Sequence, residues 1–125
     1  MYTVAVKRDF IGQHYLVGGD WGPENKLNSH HYAIEVMLEG SELDEHGYLV
    51  DIVDITTNLE ALVDRYRDRT LNDFKEFEGL NPSIEHFSRI ACQSMAGSIK
   101  TRGLSAVTVR MYEDADAWAS YRLEL

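Results

Sequence analysis

His14, Asn28 and His30 are the side chains whose type and spacing first suggest chemistry, and that chemistry is metal binding. In the segment Asn28-Ser29-His30-His31-Tyr32-Ala33-Ile34-Glu35-Val36, the residues after the histidines alternate as in a half-buried strand. A strand sends residues i and i+2 to one face, so position 28 and His30 point with Ile34, Val36 and Leu38, while His31 points away. Two histidines at i and i+2 would make two legs of a zinc site; here one leg is Asn28. His14 closes another alternating run, Phe10-Ile11-Gly12-Gln13-His14-Tyr15-Leu16, and offers a third leg. His30 has a plainer reading too, as a hydrogen-bonded core histidine. His46 falls in a turn and reads as solvated, and His86 reads as a helix-surface residue.

The elements that must position these groups follow the order β-β-α-α-β-β. Tyr2, Val4, Val6, Arg8 and Phe10 alternate with Thr3, Ala5, Lys7 and Asp9 in a first strand, and a second runs from about Ser29 to Leu38. Between them, Gly18, Gly19, Gly22 and Pro23 break regular structure in a loop that should arch over something. Ile55, Leu59, Leu62, Val63 and Tyr66 repeat at helical spacing behind Asp54 as N-cap. A second helix opens at Asn81-Pro82-Ser83, with asparagine capping and proline at the first helical position, and runs to about Lys100. Val107, Val109 and Met111 mark a third strand, and residues from Ala117 to Leu125 a fourth. This order predicts an α+β domain with two helices on one face of a four-stranded antiparallel sheet. Its exposed edges favour closed, edge-to-edge oligomers.

Composition narrows the partners. The 125 residues have the length of a single domain, 1–125, able to bury a core without disulfides. With 21 acidic against 12 basic residues and a net charge of -9, a nucleic-acid partner is disfavoured. The lone Cys92 forms no internal disulfide, which fits a reducing cytoplasm. Its place within Ile84, Phe87, Ile90, Ala91 and Met95 assigns it to core packing. No apolar run approaches the ~20 residues that span a bilayer, and the N-terminus lacks signal-peptide regions. The chain reads as soluble and intracellular, with no membrane partner.

Several separated segments together resemble a known family. Residues 10–16 are similar to the pattern Phe-x-Ala-Ala-His-Arg-Leu, and residues 28–36 to His-Gly-His-Asn-Tyr-x-Val-Glu-Val. Gly47-Tyr48-Leu49-Val50-Asp51-Ile52 resembles Gly-Met-Val-x-Asp-Phe. Leu71-Asn72-Asp73, Asn81-Pro82-Ser83-Ile84-Glu85 and Val109-Arg110-Met111-Tyr112-Glu113, with Tyr121 eight residues on, follow the remaining blocks in order. These are patterns of the 6-pyruvoyltetrahydropterin synthase and 6-carboxytetrahydropterin synthase family, of the tunnelling fold, and this chain resembles a divergent member.

That resemblance implies a homohexamer, a dimer of trimers in which three subunits close a β-barrel and pterin pockets sit at subunit interfaces. It implies a lyase acting on dihydroneopterin triphosphate or a related dihydropterin, with zinc held by three histidines and one position open. Carried over, the ligands are His14, His30 and Asn28. A neutral amide donates to zinc less strongly than imidazole, so Asn28, water or a loop carboxylate would complete the shell. Glu113 takes the place of the pterin-ring anchor; its other reading is a solvated strand-end carboxylate. Glu24 takes the place of a cysteine base and stands between that role and an ordinary loop carboxylate. An Asp-His relay from a neighbouring subunit aligns, with a one-residue gap, on Asp68, but Arg69 replaces the histidine and cannot shuttle protons at neutral pH. The lost cysteine, relay histidine and third zinc histidine leave a second reading open, a non-catalytic pterin-binding oligomer.

Overall fold

In the computed structural model, which describes residues 1–125, the alternating run beginning at Tyr2 does not stop at Phe10. It continues as one strand, β1 (Tyr2–His14), because every residue from Tyr2 to His14 finds an antiparallel partner on β2 (Asn28–Gly40). The two runs read separately around Phe10 are therefore one element, and His14 inherits the register of the core positions before it. β3 (Ala106–Tyr112) pairs with β2, and β4 (Trp118–Glu124) pairs with β3, giving an antiparallel sheet in the order β1-β2-β3-β4. The predicted α+β architecture is the observed one.

Helices α1 (Ile52–Tyr66) and α2 (Ile84–Ser98) lie on one face, α1 against β1 and α2 across β3 and β4. Beneath them, Val6, Phe10, Tyr32, Ile34, Val36, Leu38, Val107, Val109 and Met111 are buried, as strand alternation requires. Cys92 is in this core, its thiol directed at the Val107 carbonyl at 3.4 Å. No helix is long and apolar enough to cross a membrane.

Both helix starts differ from the sequence expectation for identifiable reasons. Asp51, not Asp54, caps α1: its Oδ1 accepts from the Val53 N–H at 2.9 Å. Asp54 sits in the first turn, where its Oδ2 accepts from the Lys100 N–H at 3.0 Å and ties the helix to the segment before β3. Ser83, not Asn81, caps α2, its Oγ accepting from the His86 N–H at 3.1 Å. Asn81 is unavailable because its amide is engaged with the loop after β1.

After α1 the chain turns at Asp68, whose φ of 59° lies in the left-handed region that aspartate tolerates better than most side chains. It then runs beside the outer edge of β1: the Asp68 N–H donates to the Ile11 carbonyl at 2.7 Å, and the Gln13 N–H to the Arg69 carbonyl at 2.9 Å. Farther on, Glu76 receives a two-pronged contact from Arg65 at 2.8 and 2.9 Å and a hydroxyl donation from Tyr66 at 2.6 Å. This pins the end of α1 to the connection leading to α2.

Candidate functional site

The column of β1 and β2 side chains facing the helices is apolar through Phe10 and Tyr32, then becomes polar at the strand ends. Gly12 lies opposite His30 and His14 opposite Asn28 in the ladder, so the three polar side chains share the core-facing side. The His14 and His30 rings are diagonal neighbours, stacked 4.4 Å apart and nearly parallel at 5°. His31 occupies the opposite face, largely exposed, with Nε2 2.8 Å from Asp9 Oδ2. The predicted strand register holds.

Tyr32, two residues beyond His30, sits under both rings. It is buried between Phe10 and Phe87, and its hydroxyl lies 2.7 Å from His14 Nδ1. That contact leaves Nε2 as the free nitrogen of His14. Burial, then the neighbouring His30 charge, push the His14 imidazole below its ordinary pKa and favour the neutral ring that a metal needs. Tyr32 is pushed the other way, first by burial and then by the charges of Glu113 and Glu24, and stays a neutral phenol.

The glycine-containing loop after β1 delivers Glu24, and it is built from amide clips. The Tyr15 N–H donates to Asn72 Oδ1 at 3.0 Å and Asn72 Nδ2 donates back to the Tyr15 carbonyl at 2.9 Å. Asn81 makes the same two-way contact with Val17, at 2.8 and 3.2 Å. Asn25 ties the loop to itself through the Leu16 and Gly19 carbonyls, and the Leu16 N–H donates to the Glu24 carbonyl at 2.8 Å. Glu24 thereby sits in a short 3-10 turn, Gly22–Asn25, with Oε1 3.5 Å from His30 Nε2. The loop arches over the histidines, as its glycines suggested.

Glu113 arrives from the far side, just past β3. Its N–H donates to the Ala117 carbonyl at 3.1 Å, and Asp114 Oδ1 accepts from the N–H groups of Asp116 and Ala117, closing the tight β3–β4 turn. Glu113 Oε1 lies 3.8 Å from His30 Nδ1.

Ligand atoms of His14, Glu24, His30 and Glu113 thus all fall within 4.8 Å of one another. Two imidazoles and two carboxylates at this spacing fit a zinc-type ion, can accept a proton, and can receive hydrogen bonds from a donor-rich ring. Asn28 borders the group, its amide oxygen against His30 Nε2. Asp68 is exposed on the edge beyond β1 and is not among the four. Tyr32, Asn72 and Asn25 had no assigned part in the sequence reading. Tyr32 was discoverable from its i+2 spacing to His30, but the asparagine clips join residues far apart in the chain and left no local signal. A concavity of about 530 Å³ opens on the opposite sheet face beside Lys7, His31 and Tyr112; it does not contain the converging donors.

Comparison with known proteins identifies the family and the fold. Residues 3–124 match the family described as 6-pyruvoyl tetrahydropterin synthase. A protein of Archaeoglobus fulgidus, assigned provisionally as 6-carboxy-5,6,7,8-tetrahydropterin synthase, is 26% identical over 119 residues, covering 95% of this chain and 94% of that protein. Among solved structures, 6-pyruvoyl tetrahydropterin synthase of Caenorhabditis elegans superposes with a TM-score of 0.81 at 19% identity, covering 99% of this chain and 98% of the other. A Plasmodium vivax 6-pyruvoyltetrahydropterin synthase, in a variant whose glutamate described as a catalytic residue is replaced by alanine, superposes with a TM-score of 0.82 at 12% identity, covering 99% and 98%. At such identities these superpositions speak to the fold.

Proposed function

This chain belongs to the 6-pyruvoyl tetrahydropterin synthase family, and from that premise we propose that it is a pterin-processing lyase acting on dihydroneopterin triphosphate or a related dihydropterin. The observation that carries the reading is the convergence of His14, Glu24, His30 and Glu113 from four separate chain segments on one polar end of the sheet. The names of the Archaeoglobus and Caenorhabditis relatives support the substrate class.

The donor set fits zinc, and His14 and His30 with a carboxylate of the group would hold it. Bound there, the metal supplies Lewis-acid polarisation of an oxygen on the pterin side chain. Glu113 has the chemistry to anchor the ring, because a carboxylate accepts two parallel donations from amino and imino groups. Glu24, held by the loop clips, has the chemistry to take a proton from the side chain, and the Plasmodium protein, in which a glutamate is named as a catalytic residue, supports a carboxylate in this role. Asp68 would act only from a neighbouring copy, since its own chain places it on the outer edge of β1. We assign the working unit to a homohexamer of two barrel trimers, in the cytoplasm.

A second reading, pterin binding without chemistry, draws on Arg69 following Asp68 and on the amide at Asn28. Product analysis after incubating zinc-loaded protein with dihydroneopterin triphosphate, and separately with dihydroneopterin, decides between them. Side-chain loss from either substrate is expected. Tight pterin binding with no product would establish the binder, and no pterin binding would remove both readings.

A further inference from the structure

The edge of the sheet on β1 is already occupied at its site end. The Asp68 N–H donates to the Ile11 carbonyl at 2.7 Å, the Gln13 N–H donates to the Arg69 carbonyl at 2.9 Å, and Thr70 bridges to Gln13 in parallel. Backbone groups alternate sides along a strand, so Thr3, Ala5, Lys7 and Asp9 turn theirs away from β2, as Ile11 and Gln13 do. On the other edge, the bonds from the Glu113 N–H to the Ala117 carbonyl and from the Leu125 N–H to the Ser105 carbonyl set the odd-numbered residues of β4 toward β3. Trp118, Ser120, Arg122 and Glu124 therefore face outward. β1 and β4 run in opposite directions, so β4 of one copy can pair antiparallel with β1 of the next. Lys7, Glu35, Arg110 and Ser120 make one level row across the sheet.

A closed barrel cannot keep that row level. Strands tilted by about 35–45° and spaced about 4.8 Å apart accumulate, over four strands, an offset of about 13–19 Å, or about four to six residues. The ladder admits only even offsets, and four keeps the most pairs. Offset one way, Ser120 would face Ile11 of the next copy, whose outward side Asp68 and Arg69 already fill; offset the other way, it faces Thr3. We infer that the 68–70 segment is a register stop, and that β4 of one copy pairs with the N-terminal half of β1 of the next, Ser120 opposite Thr3 and Trp118 opposite Ala5. The inference rests on the barrel assembly proposed above and specifies its seam. Side chains at the two edges support it. Trp118, 49% exposed, meets the small Ala5, and Tyr2, also 49% exposed, meets the half-buried Tyr121. Lys7 of the next copy comes beside the β3–β4 turn, where Asp114 and Asp116 offer opposite charge. The same turn carries Glu113, so the stop also sets where the segment bearing Asp68 stands against the site.

Disulfide trapping reads the register directly. Paired residues of this kind have Cα atoms about 5.5 Å apart, within the roughly 4.4–6.8 Å that a disulfide spans. Thr3→Cys with Ser120→Cys changes two small exposed residues, and within one chain these positions stand three strand spacings apart, about 14 Å, so any bridge joins two copies. Cys92 is buried and does not compete. On mild oxidation this variant should form covalent trimers on a denaturing gel. Lys7→Cys with Ser120→Cys, the level register, and Ile11→Cys with Ser120→Cys, the opposite offset, should link at least roughly tenfold more slowly. Faster linking in either of these, or no linking of any pair in an intact oligomer, overturns the inference. Hydrogen exchange gives a second reading on the unsubstituted protein: the Thr3 and Ala5 amides should be protected and the Asp9 amide should not. Equal protection at Ala5 and Asp9 would restore the level register. A monomer in light scattering would sink the assembly and its seam together, whereas an oligomer trapped through another pair would sink only the register.

Discussion

Glu113 approaches His30 from the Nδ1 side and Glu24 from the Nε2 side, so loss of each charge should fail in a different way. A carboxylate reading the ring contributes on the order of 1.5–3 kcal/mol, so Glu113→Gln should weaken binding of a fluorescent pterin by roughly ten- to a hundredfold. Unchanged affinity in that variant would remove the main support for a ring anchor. Glu24→Gln should leave ring affinity nearly intact and lower turnover by about 10²–10⁴, the range for a lost general base. Turnover equal to wild type would refute the base and nothing else. The contrast between the two variants is diagnostic because glutamine keeps the shape in both.

At the scale of elements, the loop carrying Glu24 is held to the body by Asn72 and Asn81, each returning both a donor and an acceptor to a single residue. Asn81→Ala strips Val17 of both contacts and should cost about 1–3 kcal/mol in stability. It should also lower turnover while leaving Glu113-dependent pterin affinity in place, because the anchor stands on a different turn. Equal loss of affinity and turnover would show that the clip supports the whole site. Glu76 gives the element scale its pH dependence. Donation from Arg65, followed by Tyr66, holds its carboxyl at about 2, below the ordinary 4.5. A depressed carboxylate stabilises the fold fully above about 4.5, and that contribution falls away as pH drops through about 2. Wild type should therefore exceed Glu76→Gln in denaturant stability by roughly 1–3 kcal/mol at neutral pH, at the scale of charged hydrogen bonds, and the gap should close in strong acid. A gap that is constant with pH would mean that shape, not charge, is what Glu76 supplies.

For the whole molecule, β1 and β4 are the two edges of a four-stranded sheet, with nothing in the chain closing one on the other. Open edges of this kind favour pairing, and the assembly proposed above supplies another copy as the partner. Light scattering at micromolar concentration should show trimers or hexamers, and a stable monomer would sink the assembly. Asp68, exposed beside the β1 edge, provides the link to function: Asp68→Asn should lower turnover only if a neighbouring copy carries it to the site. Mixing Asp68→Asn with Glu24→Gln subunits should restore part of the activity lost by each alone. No recovery in such mixed oligomers would place Asp68 outside the chemistry.

Periodicity is a local property, and what it records was legible from the chain alone. Alternation along residues 2–10 and 29–38 assigned each side chain to a face, which is why His30 and Asn28 were correctly separated from His31. Helical spacing located the buried faces of α1 and α2, and the blocks around His14, residues 28–36 and Glu113 pointed to the family. The helix caps were misplaced because capping is a competition among nearby polar groups, and Asn81 was already taken by Val17, 64 residues away. The site itself was beyond local reading for the same reason. Only the paired register of β1 and β2 stacks His14 on His30, and only the loop clips and the β3–β4 turn bring Glu24 and Glu113 to opposite nitrogens of one ring. Residue types can specify which donors exist; their distances, and which nitrogen each one meets, arise from contacts between segments that the sequence keeps far apart.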